Sequence, residues 1–252
     1  MIRTCIGHGV LELTLDRMQR KNALTASMYE ALAQGMNDAR ENGNVRVCLI
    51  KGEGPIFTAG NDLEEFLNNP PDSLDAPAFR FLEALSTFPK PVIAAVRGAA
   101  VGVGTTMLFH CDLVYAGENA SFLLPFASLG LCPEAGSAML APLAFGYQRA
   151  AEALMLGDPI SALIASHHGL VTQVVPDDKV DAHARAQAER LKLKPMASLI
   201  ETKRLMRWSA TSMLRAQMKE EAQTFIRMLR EPAAREAFAA FTAKRKPDFS
   251  TL

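Results

Sequence analysis

The chain has 252 residues with 27 Lys or Arg and 27 Asp or Glu, so its formal net charge is zero. A chain of this length forms one large domain, with or without a small appendage, and needs no disulfide or metal staple. The balanced charge gives no whole-molecule argument for a nucleic-acid or anionic-membrane partner. There is neither a basic segment leading into an apolar stretch at the start nor an apolar run of about 18 residues, which predicts a cytoplasmic protein without a signal peptide or membrane span.

The cysteine and histidine patterns exclude two further classes of site. No C-x-x-C and no H-x-x-x-H or H-E-x-x-H motif occurs, so we expect no metal site and no resident metal. The cysteines are widely spaced and are predicted to be reduced core residues: Cys5, Cys48, Cys111 and Cys132.

Strands and helices are predicted to alternate through about residue 176, which favours an α/β class. The alternation of leucines over 10–15 predicts a half-buried strand, and near-continuous apolar runs predict strands covered on both sides. Predicted strands cover 10–15, 45–50, 91–96, 112–116 and 171–175. Helices are predicted after a Thr25 cap, after an Asp62 cap with Glu65 at capping-box spacing, and over 79–88 and 105–110.

After Pro176 the pattern is entirely helical, with helices predicted over 179–192, 196–208, 213–229 and 232–244. The third of these carries one broad apolar stripe from Met213 to Leu229. Such a stripe needs a partner surface, either the core of this chain or another subunit.

Two glycine-rich turns each follow a predicted buried strand and precede a helix. The spacing of Gly98, Gly102 and Gly104 does not fit a dinucleotide-binding fingerprint. The N–H groups that open a helix can hold an oxyanion, but tight backbone packing explains the glycines as well and is favoured on spacing alone. The other turn spans 52–63, and the two could bring two N–H donors to one oxygen.

Glu134 is the only charged residue between Glu118 and Arg149. A buried carboxylate in such an apolar stretch has a raised pKa, which suits a general base near neutral pH. Alternatively Pro133 and Glu134 begin a helix, where the dipole favours the acid and lowers its pKa. The sequence leaves these interpretations open, whereas Asp62 and Asp112 are predicted to be structural.

Four motifs in order resemble those of the crotonase superfamily, the enoyl-CoA hydratase and isomerase family. The segment Asp16–Leu24 is similar to its R-P-x-x-x-N-A-L opening, with Met18 replacing the proline, and Phe57–Leu63 is similar to its F-x-A-G-x-D-L turn. Pro91–Gly98 and Phe241–Arg245 match its P-x-I-A-A-V-x-G strand and its C-terminal F-x-x-K-R. The resemblance covers nearly the whole chain.

The resemblance implies a spiral of ββα units, with an α/β core over 1–195 and a helical oligomerisation region over 196–252. It implies a homotrimer or a dimer of trimers. It also implies that an acyl-CoA thioester is the substrate, with no further cofactor, as in fatty acid β-oxidation.

The resemblance also assigns residues. Backbone N–H groups of Asn61 and Val103 would form an oxyanion hole for the thioester carbonyl. Other residues would contact substrate or CoA: Ala59, Asp62, Leu63, Phe126, Phe241 and Lys244, the last two from a neighbouring subunit.

Departures from the family pattern predict the reaction. Family hydratases carry two glutamates at positions that hold Thr106 and Phe126 here, whereas Glu134 stands where the peroxisomal type of Δ3,Δ2-enoyl-CoA isomerase carries its single base. The resemblance therefore predicts an isomerase that moves a 3-enoyl-CoA double bond to C2. A hydratase and a non-catalytic acyl-CoA-binding protein are the alternatives.

Overall fold

The computed structural model of the chain describes residues 1–250 and 252. The strands are β1 (Ile2–Gly7), β2 (Val10–Leu15), β3 (Val47–Gly52), β4 (Val92–Val96), β5 (Ala99–Val101), β6 (Leu113–Gly117), β7 (Ser121–Leu123), β8 (Ile160–Ser161) and β9 (Gln173–Val175). The α-helices are α1 (Ala26–Glu41), α2 (Leu63–Asn68), α3 (Pro77–Ser86), α4 (Val103–Thr106), α5 (Ser137–Phe145), α6 (Tyr147–Ala151), α7 (Ala162–His167), α8 (Val180–Lys192), α9 (Met196–Arg207), α10 (Thr211–Met228) and α11 (Pro232–Thr242). The predicted α/β class is confirmed.

A six-stranded sheet, in the order β1-β2-β3-β4-β6-β9, forms the centre of the fold. Only β1 runs antiparallel to its neighbour, and the other pairs are parallel. Every residue of β3 is buried, because Cys48 and Ile50 pack in the cluster that contains α1 and α3 while Val47 and Leu49 pack against α8. Coverage of both faces explains the near-continuous apolar run in the sequence.

A second, three-stranded sheet has the order β5-β7-β8. These strands have only two or three residues each, too few to show a periodic pattern, and the sequence analysis missed them. It also missed β1, an edge strand whose side chains are largely exposed and which therefore lacks an apolar face.

The helix starts expected from capping residues are present. The Thr25 hydroxyl accepts a hydrogen bond from the Met28 N–H, and the Asp62 carboxylate accepts one from the Glu65 N–H. The Glu65 side chain does not return to Asp62 to complete a capping box, because it accepts from the Ala26 N–H at 2.8 Å. This bond ties the start of α1 to α2.

Helices α9 to α11 pack back on the α/β core. Lys203 of α9 is buried and donates to the carboxylate of Asp112 at 2.7 Å, which supports the structural role predicted for that aspartate. Part of the apolar stripe on α10 is covered by this chain, because Ala222 and Phe225 are buried. Met213, at its start, is exposed.

Two local expectations were wrong. Cys5 is exposed rather than in the core, because it lies on the open face of edge strand β1, although all four cysteines are free as expected. The helix expected over 105–110 is the short α4 followed by a 3-10 turn, Met107–His110. Among residues 1–250 and 252, no helix is long and apolar enough to cross a membrane, and no group of three metal-ligating side chains assembles.

Candidate active site

The turn between β3 and α2 is held by a buried asparagine. The Asn22 amide donates to the carbonyl oxygens of Glu53 at 2.9 Å and Ile56 at 2.8 Å. The Thr58 hydroxyl in turn donates to the Asn22 carbonyl at 2.7 Å. This loop is therefore fixed by hydrogen bonds at both ends, in a segment where the sequence shows only glycine-rich spacing.

The turn around β5 is bonded directly to this first turn. The Thr58 N–H donates to the Ala99 carbonyl at 3.0 Å, and the Val101 N–H donates to the Thr58 carbonyl at 3.1 Å. A Cβ atom at Gly60 would lie 2.8 Å from the Val101 carbonyl oxygen, and one at Gly104 would overlap the Thr58 methyl group. The two glycine turns that the sequence left unconnected thus pack backbone against backbone.

Asn61 and Val103 present backbone N–H groups where the two turns meet. Leu24 donates its N–H to the Gly60 carbonyl and accepts from the Asp62 N–H, so both groups face Leu24. The N–H of Asn61, which lies between them in an extended segment, therefore points to the other side. Val103 is the first residue of α4, where a helix has no internal acceptor for an N–H group. Within the described residues, neither N–H donates a hydrogen bond to the protein.

Glu134 precedes α5 and is only 5% exposed. The helix begins at Ser137, with Gly136 as its N-cap, so Glu134 is not in its first turn. Burial raises the pKa of Glu134 to about 8, against a lowering hydrogen bond from Thr106 and a raising effect of the Glu221 charge. The interpretation of Glu134 as a helix-start residue with a lowered pKa is therefore wrong.

Thr106 is the direct neighbour of this carboxyl group, and its buried hydroxyl donates to Oε1 of Glu134. The position that holds a glutamate in family hydratases thus lies against the Glu134 side chain. Sequence reasoning compared Thr106 with that glutamate but missed this contact, because residues 28 positions apart give no local signal.

One narrow cavity brings Asn61, Val103 and Glu134 together. Tyr29 of α1 also lines it, and its buried hydroxyl donates to the Asn61 side-chain oxygen, which holds Asn61 in place. Tyr29 was missed by the sequence analysis, which interpreted α1 only as an amphipathic helix.

A larger cavity of about 340 Å³ adjoins this site. Phe79, Leu82 and Glu134 line both cavities, and Met218 and Ala222 of α10 line the larger one. A group that entered from the narrow cavity could therefore extend between α3 and α10 past the Glu134 carboxyl.

Of the Ala59–Leu63 segment, Asn61 lines the narrow cavity and Asp62 lines a further cavity next to α2 and α3. The Asp62 side chain forms a 2.5 Å ion pair with Arg17. Burial would raise the pKa of Asp62, but the Arg17 hydrogen bond and the Glu65 N–H lower it. Ala59 donates its N–H to the Lys21 carbonyl at 2.9 Å, and Leu63 begins α2 half-buried.

The other predicted contact residues also lie outside both cavities: Phe126, Phe241 and Lys244. Phe126 is buried in an apolar cluster with Leu131 and Phe225, behind the site. Phe241 is 61% exposed on α11, and Lys244 is exposed just after it. The structure of one chain does not bring these three to Glu134.

The fold and the site are those of one protein family. The model of the enoyl-CoA hydratase/isomerase family matches residues 6–251, and the chain belongs to that family. The expected crotonase fold is confirmed by a solved neighbour, Pseudomonas aeruginosa OdaA, which is 46% identical, has a TM-score of 0.93, and is matched over 95% of this chain and 98% of that chain.

Relatives with assigned names include both isomerases and hydratases. The 1,2-epoxyphenylacetyl-CoA isomerase of Escherichia coli is 34% identical over 96% of this chain and 95% of its own length. The 2,3-dehydroadipyl-CoA hydratase of the same organism is 34% identical over 95% of this chain and 94% of its own. Enoyl-CoA delta isomerase 2 of Rattus norvegicus is 32% identical over 94% of this chain and 62% of its own. The chain is thus an acyl-CoA enzyme of the hydratase/isomerase type.

Proposed function

We propose that the protein moves the double bond of a 3-enoyl-CoA from C3 to C2, with Glu134 as the only acid–base group. The observation that carries this proposal is the single cavity lined by Asn61, Val103 and Glu134. Two unpaired backbone donors and one buried carboxyl group are the parts that this reaction needs. The rat delta isomerase is a relative whose name supports the same reaction class.

In the proposed mechanism, the Glu134 carboxylate takes a proton from C2. The electron pair of that C–H bond forms the C1–C2 double bond of a dienolate, whose negative charge lies on the thioester oxygen. The N–H groups of Asn61 and Val103 stabilise that oxygen, and one such donor contributes about 3 kcal/mol in other enzymes. Protonated Glu134 then donates the proton to C4, which leaves the double bond between C2 and C3.

Hydration of a double bond needs a positioned water and a group that returns a proton to carbon. Family hydratases use two glutamates, and Thr106 and Phe126 occupy both positions here. Phe126 is buried among apolar side chains, and its ring offers no acid or base that could activate a water. These residues support isomerisation over hydration, which is the alternative function.

In this proposal, the two cavities bind different parts of the substrate. The thioester carbonyl occupies the narrow cavity between the turns, and the acyl tail enters the larger cavity past Phe79, Leu82 and Met218. The backbone of Ala59–Leu63 contacts adenine, while the Asp62 carboxylate stays paired with Arg17. Phe241 and Lys244 reach the CoA nucleotide of a neighbouring subunit.

Assembly as a trimer or a dimer of trimers is part of the proposal. Large apolar side chains of the last helices and of the α5–α7 region are exposed on a single chain. They include Leu143, Tyr147, Met155, Leu163, Leu205, Met206, Trp208 and Met213. Their burial between subunits would stabilise the assembly. A cytoplasmic location stays a prediction.

The test is an assay of the purified protein with 3-enoyl-CoA and 2-enoyl-CoA side by side. We expect 2-enoyl-CoA to form from the first substrate and little 3-hydroxyacyl-CoA to form from the second. Efficient hydration with no double-bond migration would establish the hydratase alternative. Binding of both compounds with no turnover would establish the non-catalytic alternative.

A further inference from the structure

Glu221 is a buried carboxylate on α10, only 5% exposed, that takes no part in the mechanism above. Its side chain lies at the start of α5. Oε2 accepts a hydrogen bond from the Gly136 N–H at 2.5 Å, and Oε1 accepts one from the Ala138 N–H at 3.0 Å. The Gln217 amide donates to Oε1 at 3.2 Å. Glu221, 87 positions after Glu134 in the chain, thus caps the N-terminus of α5, the helix that follows Glu134.

The turn that Glu221 holds is strained. Ala135 and Gly136 both have left-handed backbones, with φ of 62° and 72°. Glycine adopts this region freely, but an alanine persists there only where its surroundings fix it. On the other side of the turn, His110 is neutral because burial lowers its pKa to about 4, and its Nε2–H donates to the Ala135 carbonyl at 2.7 Å.

Among the described residues, Glu221 is the one whose negative charge raises the pKa of Glu134. The phenol of Tyr29, the thiol of Cys132 and the imidazole of His110 are kept neutral by burial, which raises the first two pKa values and lowers the third. Across the larger cavity lie the charged residues Glu83, Arg215 and Lys219.

Glu221 is the member of this carboxyl pair that suits the ionised form. Burial raises the pKa of Glu221 overall, and the hydrogen bonds that Gln217, Ala138 and Gly136 donate to it lower that pKa only in part. All three donors need an accepting oxygen, whereas Glu134 has a single donor, Thr106. The two carboxyl groups therefore differ in their surroundings, because three donors favour the ionised form of Glu221 and one donor favours that of Glu134.

We infer that Glu221 is a positioning residue for Glu134: from α10 it holds the Ala135–Gly136 turn that directs the Glu134 carboxyl into the cavity, and its carboxylate charge acts on that carboxyl. This inference rests on the proposed function of Glu134. It links the C-terminal helices to the chemistry, so that a displacement of α10 would move the catalytic base.

The test compares Glu221→Gln with Glu220→Gln, a matched change at the exposed neighbouring residue. Glutamine can accept from only one of the two backbone N–H groups and carries no charge. We expect kcat for 3-enoyl-CoA to fall at least about tenfold, with Kd for 2-enoyl-CoA unchanged and the midpoint of the kcat–pH profile moved to lower pH. The sign follows because the Glu221 charge raises the pKa of Glu134. Glu220→Gln should match the parent in all three.

In Glu221→Gln, a fall in kcat with an unmoved midpoint of the kcat–pH profile would overturn the inference, because Glu221 would then act only as a helix cap. Glu221→Asp is the second variant if Glu221→Gln does not fold. It keeps the charge but cannot span both N–H groups, so kcat should fall while the midpoint stays near that of the parent. Parental kcat in this variant would also overturn the inference.

A measurement without turnover separates this inference from the proposed function. Carbon NMR of protein labelled at glutamate carboxyl carbons reports the titration of Glu134, whose signal is assigned by its loss in Glu134→Gln. We expect that titration to move to lower pH in Glu221→Gln even if the parent isomerises no enoyl-CoA. An unmoved titration contradicts the role of Glu221, whereas a moved titration without isomerase activity contradicts only the proposed reaction.

Discussion

The two sides of the active site are built in different ways. On one side, the turns that carry Asn61 and Val103 are joined by backbone hydrogen bonds and by glycines in direct contact with the opposite turn. On the other side, the Thr106 side chain donates to the Glu134 carboxyl, and the Glu221 side chain of α10 holds the turn that follows Glu134.

This difference means that the position of the oxyanion donors and the pKa of Glu134 depend on different parts of the molecule. Backbone donors depend on the main chain alone, so most side-chain substitutions leave them in place. The acid–base behaviour of Glu134 depends on burial and on neighbours, so single substitutions can change it without disturbing the fold. The following experiments test this separation.

The largest effect is expected for Glu134→Gln. Removal of the only base should lower turnover of 3-enoyl-CoA by more than about 10³-fold, because the same carboxyl group performs both proton transfers. Affinity for 2-enoyl-CoA, measured by calorimetry, should stay within about tenfold of the parent, under roughly 1.4 kcal/mol. Retention of more than about a tenth of the turnover would show that Glu134 is not the essential base.

Gly104→Ala should damage the other side of the site. The new methyl group would overlap the side chain of Thr58, which is buried and bonded to Asn22, so the two turns must separate. Displacement of one donor should lower kcat by about 10²-fold without moving the midpoint of the pH profile. Gly43→Ala is the control, since no atom lies within 4 Å of its added Cβ. Parental kcat in Gly104→Ala would contradict the role given to the paired turns.

The pH profile of the parent should report Glu134. Its pKa of about 8 means that the carboxylate, the form that acts as base, increases as the pH rises through 8. Turnover of 3-enoyl-CoA should therefore rise over this range. Thr106→Val removes the hydrogen bond that lowers this pKa, so its midpoint should lie at higher pH. Equal midpoints in stopped-flow assays of both proteins would exclude tuning by Thr106.

The smallest effect concerns stability. The pKa of Glu134 rises on folding from 4.5 to about 8, so between these values the folded chain binds more protons than the unfolded chain. Stability is therefore lost as the pH rises from 4.5 to 8, a loss that Glu134→Gln cannot show. The Tm of this variant should exceed that of the parent by at least about 2 °C at pH 8 and by less at pH 5. A constant difference in calorimetric scans would argue against a buried, titrating Glu134.

The sequence predicted what depends on local periodicity. The apolar run in β3, the Thr25 and Asp62 caps and the C-terminal helices are readable because burial on both faces and capping need particular residues at fixed spacing. Strands β5, β7 and β8 are too short to show a pattern, and their pairing depends on residues distant in the chain.

For the site, the residue types of Glu134 and the glycine turns were visible, but their surroundings were not. Spacing alone favoured tight packing as the reason for the glycines, and packing of Gly60 on Val101 is indeed part of what aligns the turns. The state of Glu134 was open because burial is a tertiary property. Tyr29 and Glu221 were missed because each lies on an ordinary amphipathic helix.

The burial of Glu134 also determines what happens to deuterium placed at C2 of the substrate. Its carboxyl group is 5% exposed and has a threonine hydroxyl as its hydrogen-bond partner, so exchange with bulk water is slow compared with that of a surface acid. In the proposed reaction, deuterium taken from C2 would then be delivered largely to C4 of the same molecule. The product formed in ordinary water would keep much of the label, and the fraction kept would measure how fast protonated Glu134 exchanges with water relative to its proton transfer to C4.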